Sequence, residues 1–372
     1  MEMKSLIFYK TTADYDNTGE VLIYRTLLEY LRTLGNVVVD DVRSQSLFIE
    51  RIGIQPSEKL SSFGKKSFLT FLLFCAIKNF FLRKKVIFAT GVGDHSVRGV
   101  KGGVKNFIAG FFILFLRLCG VKVLRIGMSI KFEGFLSKLS ERFLSLWVSN
   151  YFVRDSISAK NCVNAGVKKV KIAPDLSWGY QVKNVNAPNK SNIFVFSFRT
   201  YAASKKNQAE YKQKLKTSIV ELINHICINP DNKVLLTHQC NADLAFMAEI
   251  KELFADNTNV VLVPDLITLD NAMNFYGKAK VVVSNRLHVL LLAYKYGALS
   301  ICLTDLRNHK KIVGIFEDAG LSDLLVDFYN ERFETVFEEL CATQQEKWLK
   351  IHSVESCNRD ALNEIFCAIK GM

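Results

Sequence analysis

The nine cysteines of this 372-residue chain form no Cys-x-x-Cys pair, and their number is odd. Most lie in apolar segments, where a thiol behaves as a small buried hydrophobe. A disulfide framework and a zinc site are therefore not expected, and the pattern suits a reducing cytoplasm. No His-Glu-x-x-His motif, P-loop or Ser/His/Asp order is present, so no metal site and no triad is expected. No zinc finger, aromatic RNA-binding strand or basic helix feeding a heptad repeat occurs. Nucleic acid is thereby discounted as a partner, although the net charge is +13. Short-period repeats and low-complexity tracts are missing as well. Met1–Lys10 lacks the basic start and long apolar centre of a signal peptide. The apolar runs Phe68–Ile77 and Phe107–Leu116 are about ten residues each, well short of the ~20 needed to span a bilayer.

What the chain does have is length for two domains and an ordinary balance, with 49% apolar and 23% charged residues. Its patterning alternates strands and helices. Lys4–Tyr9 reads as a strand, Asp16–Glu20 as a polar loop, Val21–Leu34 as a helix and Asn36–Val39 as the next strand. The alternation continues to Pro174-Asp175. The polar stretch Lys183–Ser191 then breaks it, and a second series starts at Ile193. The expected fold class is α/β, with two Rossmann-like domains facing across a cleft. The expected boundaries are 1–182, a linker at 183–191, and 192–372.

A charge of +13 fits a solvated surface, or attraction to an anionic partner such as a phosphorylated substrate or a membrane. Basic residues flank Phe68–Ile77 on both sides: Lys65 and Lys66 before it, and Lys78, Arg83, Lys84 and Lys85 after it. Two buried helices would explain the apolar runs. A peripheral contact of residues 64–85 with anionic lipid would explain the flanking charge too.

In open α/β sheets, ligands bind beyond the carboxyl ends of strands, so the loops there carry the candidate residues. Val281–Ser284 ends in Asn285-Arg286-Leu287-His288. Arginine matches phosphate or carboxylate with two parallel hydrogen bonds, and histidine moves protons near neutral pH. The plain alternative is an arginine capping a helix and a histidine in its core. The two side chains converge only if the helix has not fully begun at Arg286. Arg154 and Arg199 occupy similar strand ends, and Asp155 reads as a helix cap. His238 is either a sugar contact or a cap. Asn17, Gly19 and Glu20 follow the first strand. The Gly91-Val92-Gly93 loop follows a later one, without the third glycine of a dinucleotide fingerprint.

In order, these pieces resemble the polysaccharide pyruvyltransferase family over roughly residues 15–325. The resemblance rests on Asn17-Thr18-Gly19-Glu20, Gly91-Val92-Gly93, Ile126–Ile130 and Val153-Arg154-Asp155. Asn164–Val167, Ala173-Pro174-Asp175, Ser197-Phe198-Arg199 and Ser284–His288 complete it. It implies a GT-B-like architecture and a ketal-forming enzyme. Such an enzyme moves the enolpyruvyl group of phosphoenolpyruvate onto two hydroxyls of a cell-surface glycan or its lipid-linked precursor. It implies Arg154, Arg286 and Arg199 as donor contacts, His288 as the catalytic acid with Arg286 beside it, and no cofactor beyond the co-substrate. Asn17, Gly19, Glu20, Gly91, Gly93 and His238 fall to the acceptor. Where the family has Tyr-Asp-Pro-Lys, this chain has Thr304–Lys311, which makes Lys311 the third donor contact, with Lys310 or Arg307 as substitutes. The expected location is cytoplasmic, at the inner face of the cell membrane. Two rivals stand beside this reading: a GT-B glycosyltransferase using a nucleotide sugar, and a non-catalytic glycan-binding module.

Overall fold

The computed structural model describes residues 5–11, 16–82, 85–182, 191–200 and 208–371. The expected linker residues 183–190, and Arg83 and Lys84, lie outside the described residues. The chain divides into two compact units.

The first unit is built on a parallel sheet. Its elements in chain order are β1 (Ser5–Tyr9), α1 (Thr18–Leu34), β2 (Gly35–Val39), α2 (Ser46–Arg51), α3 (Phe68–Leu82) and β3 (Val86–Thr90). There follow β4 (Gly93–Arg98), α4 (Gly99–Leu118), β5 (Lys122–Glu133), α5 (Phe135–Ser145), β6 (Asn150–Val153), α6 (Ser156–Asn164) and β7 (Val170–Ile172). The strand order is β2-β1-β3-β5-β6-β7, with β4 paired to the far half of β5. Strands such as Val86-Ile87-Phe88-Ala89 are buried throughout, as parallel strands covered by helices must be. One apolar cluster gathers Phe68, Leu72, Ile113, Leu116, Leu144 and Cys162 over Phe8, Val123 and Val153. Helices α3, α4, α5 and α6 therefore share one face of this sheet.

Two expectations change here. Thr90–His95 reads as a loop in the sequence, yet Gly93–Arg98 is a strand in register with Met128–Glu133. The parent strand β5 reaches that far because it bulges between Arg125 and Met128. Gly127 sits there at φ +79°, a conformation that costs glycine nothing. Helix α4 also starts at Gly99, well before the apolar run.

A buried ion pair crosses this unit. Arg125 Nη1 lies 2.5 Å from Glu141 Oε1, and Tyr151 and Asn106 also donate to that carboxylate, at 2.6 and 2.9 Å. Burial alone would raise the Glu141 carboxyl. Arg125 first, then the Tyr151 hydrogen bond, outweigh burial and hold it below the usual range.

The second unit comprises β8 (Ile193–Ser197), α7 (Gln208–Cys227), β9 (Lys233–Leu236), α8 (Asn241–Glu252), β10 (Val260–Leu262), α9 (Ala272–Tyr276) and β11 (Val281–Ser284). Its later elements are α10 (Leu287–Lys295), β12 (Leu299–Thr304), α11 (Lys310–Asp318), β13 (Leu325–Asp327), α12 (Phe333–Ala342) and the first part of α13 (Gln344–Gly371). Its sheet is parallel, in the order β10-β9-β8-β11-β12-β13. That is the doubly wound order of a Rossmann fold, whose switch point falls between β8 and β11.

The boundaries at 182 and 192 need correction at both ends. Residues 358–372 group with the first unit, not the second. Phe366 stacks on Tyr30 at 4.5 Å, and Lys85 Nζ donates to the Lys370 carbonyl at 2.9 Å. Asp16–Gly19 group with the second unit. Asn17 bridges Cys240, the Thr18 amide donates to Gln239 O at 2.9 Å, and the Thr18 hydroxyl donates to Ile267 O at 2.6 Å.

Candidate active site

The second sheet ends in a cluster of arginine and histidine. Its frame is Asn285, fully buried just past β11. The Asn285 amide oxygen accepts from the Arg199 backbone N–H at 2.9 Å, and its nitrogen donates to the Arg199 carbonyl at 2.8 Å. The same nitrogen reaches the Tyr211 hydroxyl at 3.0 Å. One side chain thus staples the ends of β8 and β11 together and fixes where Arg199 starts. The Arg286 amide donates to Ser284 Oγ at 2.9 Å, which tightens the corner after β11.

Arg286 is the residue before α10, with extended backbone (φ −108°, ψ 118°), and Leu287 and His288 form the first turn. The arginine thus stays outside the helix, while His288 lies within it. Arg286 Nε lies 2.5 Å from Asp243 Oδ2 in the first turn of α8. Burial pushes the Asp243 carboxyl up, while Arg286 and then Arg199 pull it down. Both guanidinium groups therefore act on one carboxylate.

His288 is half-buried, against the first turn of α1. A Cβ on Gly19 would lie 2.7 Å from His288 Nδ1 and 2.9 Å from its Cβ. Gly19 is thus the floor under the imidazole. Gly19→Ala is expected to push His288 off its position, lowering kcat by about tenfold or more, since small misplacements of a reacting group are costly. A shift in thermal midpoint with unchanged kcat would show that the contact serves packing alone.

His309 is a member of the cluster that sequence reasoning passed over. Its Nε2 contacts Arg199 Nη2 and its Nδ1 meets Thr304 Oγ1 at 2.6 Å. Burial, then Arg199, Lys311 and Arg286, push its pKa down to about 3. It is neutral at physiological pH and acts as an acceptor that orients the Arg199 fork. Lys311, at the start of α11, is half-buried and close enough to repel a charge on His309. Arg307 instead stacks on Tyr329 at 4.7 Å and is largely exposed, and Lys310 is exposed. Of the three cations in this stretch, Lys311 is the one that the cluster includes. His238, past β9, is 1% exposed, its Nδ1 has no hydrogen-bond partner among the described residues, and burial lowers its pKa. With Asp243 acting on it, it borders the same cluster.

The remaining candidates lie in the first unit. Arg154 is buried, with all of its nitrogens engaged. Nε donates to Ser129 at 2.8 Å, Nη1 to Asp175 at 3.1 Å and Nη2 to Asp94 at 2.7 Å. The sequence reading aimed this arginine at the donor. The structure spends it on two carboxylates, and an anionic ligand would have to displace them. Asp155 caps α6 as expected, accepting from the Ser158 amide at 2.6 Å. Gly91 and Gly93 both adopt positive φ. They turn the chain so that Asp94, itself 66% exposed, is held by a guanidinium that is 1% exposed. Asp94 is the second group that sequence reasoning did not single out. Glu20 is half-buried in the first turn of α1. Arg154→Met is expected to destabilise the first unit by about 3–5 kcal/mol, the usual cost of leaving one buried carboxylate, that of Asp175, without its cation. Phosphoenolpyruvate affinity, read by calorimetry at a temperature where the variant is folded, should stay unchanged; a large loss would restore Arg154 as a donor contact.

The polysaccharide pyruvyl transferase family model matches residues 17–305. The chain belongs to the polysaccharide pyruvyl transferase family. It is therefore an enzyme of a transferase family. No curated protein matches it in sequence. Among solved structures it is similar to a putative UDP-N-acetylglucosamine 2-epimerase from Listeria monocytogenes. The TM-score is 0.58 at 12% identity, covering 99% of this chain and 96% of that one. It is also similar to the UDP-GlcNAc 2-epimerase of Neisseria meningitidis bound to UDP-GlcNAc, with TM-score 0.55 at 10% identity over 97% and 100% of the two chains. At these identities the likeness speaks for the fold: α/β, two Rossmann-like units, GT-B-like. The family match covers Asn17 through Asp305, and so includes Arg154, Arg199, Arg286 and His288; His309 and Lys311 lie beyond it.

Proposed function

We propose that this pyruvyltransferase-family enzyme moves the enolpyruvyl group of phosphoenolpyruvate onto two hydroxyls of one sugar, forming a pyruvate ketal and releasing phosphate. The observation that supports the reading is that Arg199, Lys311 and Arg286 all act on His309, and Arg286 and Arg199 on Asp243, past the strand ends of the second sheet, with the half-buried His288 two residues beyond Arg286. A small, multiply charged donor needs clustered cations. Arg286 and Arg199 hold its phosphate and carboxylate, and Lys311 adds a third contact. His288 gives a proton to the methylene carbon, which leaves C2 cation-like. One sugar oxygen adds to C2 and loses its proton, phosphate departs, and the second oxygen closes the ring with loss of its own proton. The arginines stabilise the phosphate as its charge grows. No further cofactor enters this scheme.

The acceptor is a cell-surface polysaccharide or its lipid-linked precursor. Asn17, Gly19 and His238 of the second unit are its proposed contacts. The reaction takes place in the cytoplasm at the inner face of the membrane, with residues 64–85 touching anionic lipid. The test offers phosphoenolpyruvate with a panel of lipid-linked sugars and reads phosphate release and the mass of the product. A ketal-sized gain with stoichiometric phosphate supports the reading. Release of nucleoside diphosphate from a nucleotide sugar, with phosphoenolpyruvate untouched, replaces it with glycosyl transfer. Sugar binding without turnover of either donor replaces it with a binding module.

A further inference from the structure

The outer surface of α3, α4 and α5 is apolar to a degree that folding does not explain. Helix α4 packs inward through Gly103, Asn106, Gly110, Ile113 and Leu116. A Cβ at Gly103 would lie 2.8 Å from Leu136 Cγ, and one at Gly110 would lie 2.8 Å from Phe143 Cδ1. The two glycines let α4 and α5 pack in close contact. The opposite stripe, Val100, Val104, Ile108, Phe111, Phe115 and Leu118, points to solvent, with Val100 69%, Ile108 65% and Phe111 60% exposed. Its spacing is that of one helix face. Phe135, Leu139 and Leu146 extend the surface along α5, and Phe74 and Phe81 along α3. Contiguous exposure on this scale marks an interaction site.

Charge identifies the occupant. The only acidic residue within α3, α4 and α5 is Glu141, which is wholly buried and paired with Arg125. Every exposed charge in these helices is positive: Lys78, Lys101, Lys105, Arg117, Lys138 and Arg142. Lys65 and Lys66 stand just before α3 and line an open cavity of about 350 Å³ with Phe71 and Phe74. A second copy of this surface would bring cations against cations, which a self-complementary interface disfavours. Apolar side chains ringed by lysine and arginine fit a bilayer with anionic headgroups.

We infer that α4 and α5, together with α3, form a bilayer-docking face that lies in the headgroup layer of an anionic membrane. This rests on the proposed membrane-side reading and moves its centre from residues 64–85 to the α4–α5 pair. Helix α4 is long and apolar enough, by length and composition, to cross a bilayer. It lies along the surface instead, because its inward face is committed to protein. Asn106 on that face donates to Glu141 at 2.9 Å and to Ser140 at 3.3 Å.

Flotation of the full chain with phosphatidylcholine vesicles, with and without phosphatidylglycerol, tests the inference. The chain is expected to float with the anionic vesicles. Ile108→Ser/Phe111→Ser/Phe115→Ser should lose more than about tenfold in binding, given the apolar area withdrawn from lipid. Lys101→Glu/Lys105→Glu/Lys138→Glu, which alters only exposed side chains, should lose binding to the anionic vesicles while keeping its circular dichroism and thermal midpoint. Wild-type binding by either variant overturns the inference. So does a chain that ignores both vesicles but sediments as a dimer which the serine variant dissociates. Phosphoenolpyruvate affinity is measured on the same samples. If it is absent while flotation holds, the donor reading fails and the docking face stands.

Discussion

His288→Ala is expected to abolish transfer, with kcat falling about 10²–10⁴-fold, the usual contribution of a positioned acid or base. Phosphoenolpyruvate should still bind within about threefold of wild type, because in the proposed reading its charges are met by Arg286 and Arg199 rather than by the imidazole. The geometry makes the two effects separable. His288 sits inside the first turn of α10, half-buried on Gly19, while Arg286 precedes the helix and points to Asp243. Truncating the imidazole leaves the Arg286–Asp243 pair and the Asn285 staple untouched, so no large loss of stability is expected either. Single-turnover kinetics, with phosphate release followed at saturating donor, give the clean reading. Full activity in the variant would remove His288 from the mechanism. A parallel loss of donor affinity would make it a binding residue instead.

The second sheet was readable from sequence because its strands are short apolar runs with sharp polar ends. Val281–Ser284 stops at Asn285-Arg286, and the corner lies where the pattern puts it. What the pattern does not carry is which partner a polar side chain finds. Arg154 resembles Arg199 locally, each at a strand end. The first meets Asp94, sixty residues away in the chain, and Asp175, twenty-one away, and is consumed by them. The second meets His309, 110 residues away, and is aimed by it. Only tertiary structure tells those fates apart. Helix α4 shows the same effect on a smaller scale. Gly102 and Gly103 look like helix breakers, because glycine in a helix interior costs about 1 kcal/mol relative to alanine. Packing against Leu136 leaves no room for a side chain at Gly103, so the close contact overrides propensity. Strand β4 was missed because Asp94, Ser96 and Arg98 are exposed and polar, leaving little hydrophobic alternation to read.

Arg286→Ala is expected to do two kinds of damage, and a second substitution separates them. The side chain of Asp243 is 4% exposed, and its carboxyl is already pushed up by burial against the pull of Arg286. Removing the guanidinium leaves a buried carboxylate without its closest cation, which costs about 3–5 kcal/mol of stability. The sign of the pH dependence follows. A carboxyl whose folded pKa lies above its unfolded value binds protons more readily in the folded state. Stability then rises as pH falls through that pKa. The deficit of Arg286→Ala should therefore be smaller at pH 5 than at pH 8, as read by urea melts. In Arg286→Ala/Asp243→Asn the orphaned charge is gone, so most of the stability should return and the pH dependence should flatten. Donor affinity should not return. A charge-assisted hydrogen bond contributes about 1.5–3 kcal/mol, so the double variant should bind phosphoenolpyruvate about ten- to a hundredfold more weakly than wild type. If it binds as tightly as wild type, Arg286 is a structural partner of Asp243 and the donor lies elsewhere. If neither variant changes in stability, the ion pair contributes nothing to the fold, and Asp243 is free to take part in proton transfer beside His238.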